Sequence, residues 1–194
     1  MLFRSGEWRF WSPSFMVGKQ VTGRRLGIVG MGRVGRAVAR NARGFDMEVH
    51  YHNRSRLAAG HEAGAIFHES IESLLAVSDF LSLHCPATPD TKGIMTAEKF
   101  DMLPDGAVFV NAARGSLVDE NALIAALGSG KVSAAGLDCF VKEPGGNPAF
   151  AKLDNVFMLP HIGSSTELTR DAMGFRALDN LDAFFAGKEP RDLL

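Results

Sequence analysis

The run Leu26-Gly27-Ile28-Val29 breaks at Gly30-Met31-Gly32-Arg33-Val34-Gly35 and restarts as Arg36-Ala37-Val38-Ala39-Arg40. A short apolar strand that stops on glycines and resumes as a helix leaves backbone N–H groups of the first helical turn aimed at an anion. In this G-x-G-x-x-G spacing Gly30 permits the tight turn and Gly32 lets a pyrophosphate approach the backbone. Gly35 lets the helix lie close to the strand. The motif alone also fits a glycine-rich turn in another α/β protein. The strand before it and the helix after it are the context a dinucleotide site requires. Arg33 and Val34, between the glycines, are counted with the cofactor-binding residues.

From Leu26 onward short apolar runs alternate with amphipathic segments. Strands are expected at Gly27–Gly30, Glu48–His52, Ala65–Phe67, Asp79–His84, Ala107–Ala112, Ala134–Cys139 and Val156–Leu159. Helices are expected at Val34–Phe45, Ser55–Gly60, Ser70–Ala76, Thr96–Met102, Glu120–Leu127 (with Asp119 as N-cap) and Ser165–Ala186. The sequence Ser164-Ser165-Thr166-Glu167 fits a capping box for the last helix. Strands alternating with helices imply a parallel sheet covered on both faces, and near-continuous apolar strands suit double burial. The expected fold is α/β, a Rossmann-type doubly wound parallel sheet in a single domain. It spans residues 23–187, preceded by an aromatic segment, 1–22, and followed by a tail, 188–194. Ligands of such sheets sit beyond the carboxyl ends of the strands. The polar residues there, among them Asn53, Arg54, Ser55, Cys85, Pro86, Arg114, Asp138 and His161, are therefore the candidates.

The composition narrows the function. A formal net charge of −1 argues against a nucleic-acid binder. Arg33, Arg36, Arg40 and Arg43 cluster, as the polar face of the first helix. Two cysteines, Cys85 and Cys139, stand far apart with no metal spacing. They suit a reducing cytoplasm. No apolar run approaches the ~18 residues of a membrane span, and the N-terminus lacks a signal-peptide apolar region. Residues 3–22 carry Trp8, Phe10, Trp11 and Phe15, including both tryptophans. That much aromatic surface suits packing against another domain, a second subunit, or the segment's own domain.

An NAD site places an acid about 20 residues past the glycines, on the adenosine ribose. Here Asn53 lies 18 residues past Gly35 (53 minus 35), followed by Arg54-Ser55-Arg56. A neutral Asn does not repel a 2′-phosphate, Arg54 offers a fork of donors, and Ser55 adds a hydroxyl. The turn favours NADP(H) over NAD(H), unless it is only a solvated turn and helix start.

Three further segments complete a set with the glycine motif and Leu83-His84-Cys85-Pro86. They are Val110-Asn111-Ala112-Ala113-Arg114-Gly115, Gly136-Leu137-Asp138-Cys139-Phe140-Val141-Lys142-Glu143-Pro144, and Leu159-Pro160-His161-Ile162-Gly163-Ser164. Together they resemble the D-isomer-specific 2-hydroxyacid dehydrogenase family, from about Trp8 to Lys188. Within it the Asn-Arg-Ser turn looks most like NADP-dependent glyoxylate and hydroxypyruvate reductases. The resemblance implies a catalytic triad of Arg114, Glu143 and His161. His161 would donate a proton to the keto oxygen, Glu143 would orient the imidazole, and Arg114 would bind the substrate carboxylate. Asp138 would accept from the nicotinamide carboxamide. Cys85, Pro86, Thr91, Ala112 and Gly163 are carried over as cofactor contacts. The family's usual Val-Phe-Glu around the acid is Cys139-Phe140-Val141 here.

The resemblance also implies a homodimer formed through the cofactor domain and a small 2-keto or 2-hydroxy acid as substrate. The family's separate substrate domain is expected to be largely absent, leaving this chain a cofactor binder with poor turnover. Two other readings remain open. One is a nucleotide-sensing interaction module like the family's corepressors. The other is an NAD-linked enzyme of the phosphoglycerate dehydrogenase kind.

Overall fold

A computed structural model describes residues 2–193. Met1 and Leu194, the outer ends of the expected segments 1–22 and 188–194, lie outside the described residues. Seven parallel strands are joined by short helices. They are β1 (Arg25–Val29), β2 (Glu48–His52), β3 (Ile66–Phe67), β4 (Phe80–Leu83), β5 (Ala107–Asn111), β6 (Val132–Leu137) and β7 (Val156–Met158). The helices are α1 (Leu2–Ser5), α2 (Arg33–Arg43), α3 (Ala59–Glu62), α4 (Ile71–Leu75), α5 (Ala97–Asp101), α6 (Glu120–Ser129) and α7 (Glu167–Phe185). Single 3₁₀ turns sit at Gly115–Leu117 and Phe150–Lys152.

The strand order is β3-β2-β1-β4-β5-β6-β7. The chain winds outward from β1 to β3, crosses back to β4 and winds out the other way. Right-handed crossovers then put α2 and α6 on opposite faces of the sheet. The carboxyl ends of β1 and β4 part at the reversal, where such sheets open a crevice. The expected fold class is the one observed.

Two apolar cores follow from this layering. Leu81, Leu83, Phe109, Val132 and Leu137 pack with Phe100, Leu123 and Leu127 on the β4–β6 side. Ile28, Val49 and Tyr51 pack with Ala39 and Ala42 of α2 on the other. α2 buries Gly35, Ala39 and Ala42. A face of small residues lets the helix approach the sheet closely. At the amino end Asp79 ties β4 to β1, accepting from the Arg25 backbone N–H at 3.0 Å and from its guanidinium at 2.9 and 3.1 Å.

Local signals mostly place the elements within two residues. Asp119 caps α6 by accepting from the N–H groups of Asn121 and Ala122. Two expectations change. The helix expected at Ser55–Gly60 starts only at Ala59, after bends at Arg54 and Ser55 and an extended Ala58. The cap of α7 is Thr166, which accepts from the Thr169 N–H, rather than Ser164. α7 itself buries no residue, and Leu168, Phe175, Phe184 and Phe185 are all exposed. Its apolar side chains are thus not matched by a surface of the sheet. In the aromatic segment Trp8, Phe10 and Trp11 are exposed.

Phe109 is fully buried and meets Phe100 edge-on at 5.3 Å. Phe109→Ala is expected to lower unfolding free energy by about 3–5 kcal/mol, read as a lower urea midpoint with an unchanged slope.

Candidate active site

The glycine turn works sterically. Gly30 has φ +97°, and a Cβ there would stand 2.4 Å from the Cys85 nitrogen. A Cβ on Gly35 would stand 2.4 Å from the Gly30 carbonyl oxygen. At Gly32 nothing lies within 4 Å of an added Cβ. So Gly30 and Gly35 let β1, α2 and the exit of β4 converge, while Gly32 faces open space. Gly32 is the N-cap of α2 and supplies no side-chain cap, so the helix's first N–H groups are left without one.

Beside this turn lies a cleft of about 420 Å³ between the ends of β1, β2 and β4. Gly30, Gly32, Asn53, Arg54, Ser55, Cys85, Pro86 and Thr91 all line it. Thr91 staples its far wall, donating to the Pro86 carbonyl at 2.7 Å and accepting from the Thr88 N–H. Asn53 does more than end a strand: its Oδ1 accepts from the Met31 N–H at 2.7 Å, tying the β2 turn to the glycine loop. Arg33 stands apart. With Arg36, Arg40 and Arg43 it lines a separate groove between α2 and α3. Val34 is exposed on the first turn of α2. An open helix N-terminus, a glycine with room above it and a cleft of this size fit the pyrophosphate and adenosine of a dinucleotide.

The second group of candidates stands at the ends of β5, β6 and β7. Buried Asn111 ends β5 and shapes the next turn. Its amide donates to the Arg114 carbonyl at 2.9 Å, and its Oδ1 accepts from the Ala113 N–H at 3.1 Å. That leaves Ala112 and Arg114 exposed, the Arg114 guanidinium donating to the Ala113 carbonyl. Gly115 follows because a Cβ there would overlap the Phe140 carbonyl carbon, at 1.9 Å. The segment carrying Glu143 thus passes directly against this turn. Glu120 fastens the same segment by accepting from the Val141 N–H at 2.8 Å.

Glu143 uses both oxygens. Oε1 accepts from the Phe140 N–H at 2.7 Å, and Oε2 lies 2.6 Å from His161 Nδ1. The histidine contact, then the Phe140 N–H, hold the Glu143 carboxyl below its ordinary range, with the Arg114 charge adding a smaller push. An ionised carboxylate only accepts, so Nδ1 carries the hydrogen and Nε2 is left to face a ligand. His161 has φ +55° and a half-exposed side chain. Its backbone is held by Asp138, whose two oxygens accept from the Ile162 and Gly163 N–H groups at 2.7 Å each. Asp138 is therefore a buried anchor for the histidine loop, in addition to the cofactor contact expected of it.

Cys139 lies among these charges. Burial first, then Glu143 and Asp138, push its thiol up to about 11, with Arg114 opposing. Burial also raises the Cys85 thiol. Neither is a thiolate near neutral pH. The other histidines have structural partners: His50 bridges Glu48 and His68, and His84 meets the Ser82 hydroxyl. His61, the exception, is exposed on α3. Asn111, Gly115 and Glu120 were not singled out by sequence. Their signal is weak, since each acts through backbone groups of another segment.

Two outcomes are expected. Asp138→Ala should speed amide exchange at Ile162 and Gly163 by about tenfold or more, through loss of two charge-assisted bonds. In His161→Ala the Glu143 carboxyl should titrate closer to its ordinary value, read by carbon NMR. A depressed carboxyl favours the fold above its unfolded pKa, and this contribution fades as pH falls through the folded value.

A sequence model of the D-isomer specific 2-hydroxyacid dehydrogenase NAD binding domain matches residues 1–163. A glycerate dehydrogenase of Hyphomicrobium methylovorum is 41% identical over 190 residues, covering 97% of this chain and 59% of that protein. A glyoxylate reductase of Thermococcus litoralis is 40% identical over 195 residues, covering 98% and 59%. Among solved structures, an NADPH-dependent glyoxylate/hydroxypyruvate reductase of Sinorhizobium meliloti, in complex with NADP and malonate, superposes with a TM-score of 0.84. It is 34% identical, and the match covers 95% of this chain and 57% of that one. The chain thus spans about 59% of the length of these curated relatives. On this match and this fold, the chain belongs to the D-isomer specific 2-hydroxyacid dehydrogenase family and carries its NAD binding domain.

Proposed function

We propose that this chain is the cofactor-binding part of a 2-keto acid reductase that uses NADPH in preference to NADH. Glyoxylate or hydroxypyruvate would be the substrate and the D-2-hydroxy acid the product. The observation that carries the reading is the hydrogen bond between His161 and the Glu143 carboxylate, on the same sheet edge as the glycine cleft. The bound nicotinamide would supply the hydride. Gly30, Gly32 and Gly35, with the backbone N–H groups of the first turn of α2 at Arg33 and Val34, would hold the pyrophosphate. Asn53, Arg54 and Ser55 would take the adenosine ribose end. Cys85, Pro86, Thr91 and Ala112 would line the path between the two ends, and Asp138 and Gly163 would border the nicotinamide. The domain would run over 23–187, with 1–22 and 188–194 as flanking segments.

The remaining roles follow from charge. Arg114 is exposed, and its guanidinium suits the substrate carboxylate and the keto oxygen on which charge develops. His161 Nε2 would deliver the proton to that oxygen, with Glu143 balancing the imidazolium. Because His161 is half exposed, water is not excluded from the reacting atoms in the described residues. Slow turnover by these residues alone is part of the reading.

The NADP(H) preference is supported by Arg54, which is exposed and has no partner among the described residues. It is also in keeping with the printed description of the Sinorhizobium meliloti relative. A homodimer through the cofactor domain is supported by the exposed Trp8, Phe10 and Trp11. A cytoplasmic setting is supported by the two free thiols. No helix among the described residues is long and apolar enough to cross a membrane.

Titration of the chain with both reduced cofactors, followed by their fluorescence, tests the reading. NADPH should bind more tightly than NADH. Arg54→Ala should weaken NADPH by about tenfold or more while leaving NADH within about twofold, as loss of a charge-assisted phosphate contact requires. Tighter NADH binding by the unaltered chain would overturn the preference.

A further inference from the structure

Beneath the 53–57 turn lies a buried polar cluster that the roles above do not use. Glu62, at the end of α3, is 8% exposed, and three donors converge on its carboxylate. Tyr51 Oη donates at 2.6 Å, and Arg56 donates from Nε at 2.8 Å and Nη2 at 3.1 Å. Tyr51 is fully buried, and its hydroxyl also accepts from the Leu57 N–H at 3.1 Å. The Arg56 guanidinium lies 5.8 Å over the Phe67 ring, which packs on the Tyr51 ring at 5.3 Å. Burying a carboxylate is costly unless charge and hydrogen bonds answer it, and here both oxygens are answered.

The cluster fixes one end of the turn. The other end is fixed by Asn53, on the Met31 N–H. Between the two, Arg54 and Ser55 are exposed and without a partner among the described residues. Two arginines flank Ser55, and they are not equivalent. The bidentate fork of Arg56 is committed to Glu62, whereas that of Arg54 is open. The Nε and Nη2 edge of Arg56 is fixed by its bonds to a buried carboxylate, so the position of this guanidinium is set by Glu62.

We propose that Tyr51 and Glu62 are positioning residues for cofactor selectivity, clamping Arg56 and Leu57 so that the turn presents Arg54 and Ser55 to the 2′ position of the adenosine ribose. The clamp rests on the NADP(H) reading of the cleft. It adds that Arg56 is structural, and that discrimination depends on groups that never touch the phosphate. Arg56 and Tyr51 hold the Glu62 carboxyl below its ordinary range, so the clamp stays charged at neutral pH. NADH carries a hydroxyl in place of the phosphate and gains little from the exact placement of Arg54. The clamp should therefore matter to one cofactor only.

The test measures dissociation constants for NADPH and NADH with the full chain and with Tyr51→Phe, Glu62→Gln, Arg56→Ala and the Glu62→Gln/Arg56→Ala double variant. Each single change is expected to weaken NADPH about tenfold and leave NADH within about twofold. The double variant should be no weaker than Arg56→Ala alone, because the two residues act as one unit. Tighter NADPH binding by Glu62→Gln would overturn the proposal, since a released Arg56 would then be taking the phosphate itself. Equal weakening of both cofactors, or no change in either, would overturn it as well. The unaltered chain is read first: a preference for NADH there overturns the NADP(H) reading and the clamp with it. A preference for NADPH with indifferent variants overturns the clamp alone. Tyr51→Phe removes one oxygen and keeps the buried ring, so it and Arg56→Ala carry the test if circular dichroism shows Glu62→Gln to be unfolded.

Discussion

The close approach of β1, α2 and the exit of β4 is the constraint on which the rest of the molecule depends. Gly35 lies against the carbonyl of Gly30, and Gly30 lies against the backbone at His84 and Cys85. A side chain at either position would force the helix off the strand or the two strands apart. Both results would close the crevice that the reversal of strand order opens between β1 and β4. The cleft is thus a product of topology, and the glycines are what let the topology close to this distance.

A second rule governs the far side of the sheet. Polar side chains at the carboxyl edge of the sheet hold the backbone of the loops around them. Asp138, after β6, holds the loop after β7. Glu120, in α6, holds the segment after β6, and Asn111 shapes its own turn at the end of β5. Parallel strands put all these ends on one edge, so short polar side chains can lash neighbouring loops together. The Glu143–His161 pair is placed by these ties. Each partner lies on irregular backbone, His161 with a positive φ, and neither would be held by its own secondary structure.

The two ends of the sheet edge divide the chemistry. The β1–β2–β4 end offers backbone N–H groups and an open guanidinium, suited to phosphates. The β5–β7 end offers an ionised carboxylate on an imidazole and an exposed arginine, suited to a proton and a small carboxylate. α7 and the aromatic segment before β1 contribute to neither. Their apolar side chains are exposed over the described residues, in contrast to the two closed cores under the sheet.

Much of this was legible in the chain. Strands, helices and the glycine turn follow from local periodicity and steric rules, and these act over a few residues. The Asp119 cap and the parallel sheet were readable for the same reason. So were Arg114 and His161, which fall just after apolar runs, whereas Glu143 was pointed to by the resemblance alone. The extended stretch before α3 was not readable. Ser55 to Ala58 has the composition of a helix start, but in the fold the Leu57 N–H bonds Tyr51 Oη and Arg56 bonds Glu62. Nor could sequence show that Arg56 is held by Glu62, or give Asp138 its second task. Sequence by itself determined which segments become strands and which residues stand at their ends. Tertiary structure decided which of those residues are free and which are bound, because a hydrogen-bond partner 18 or 25 residues away is chosen by strand order rather than by neighbours along the chain.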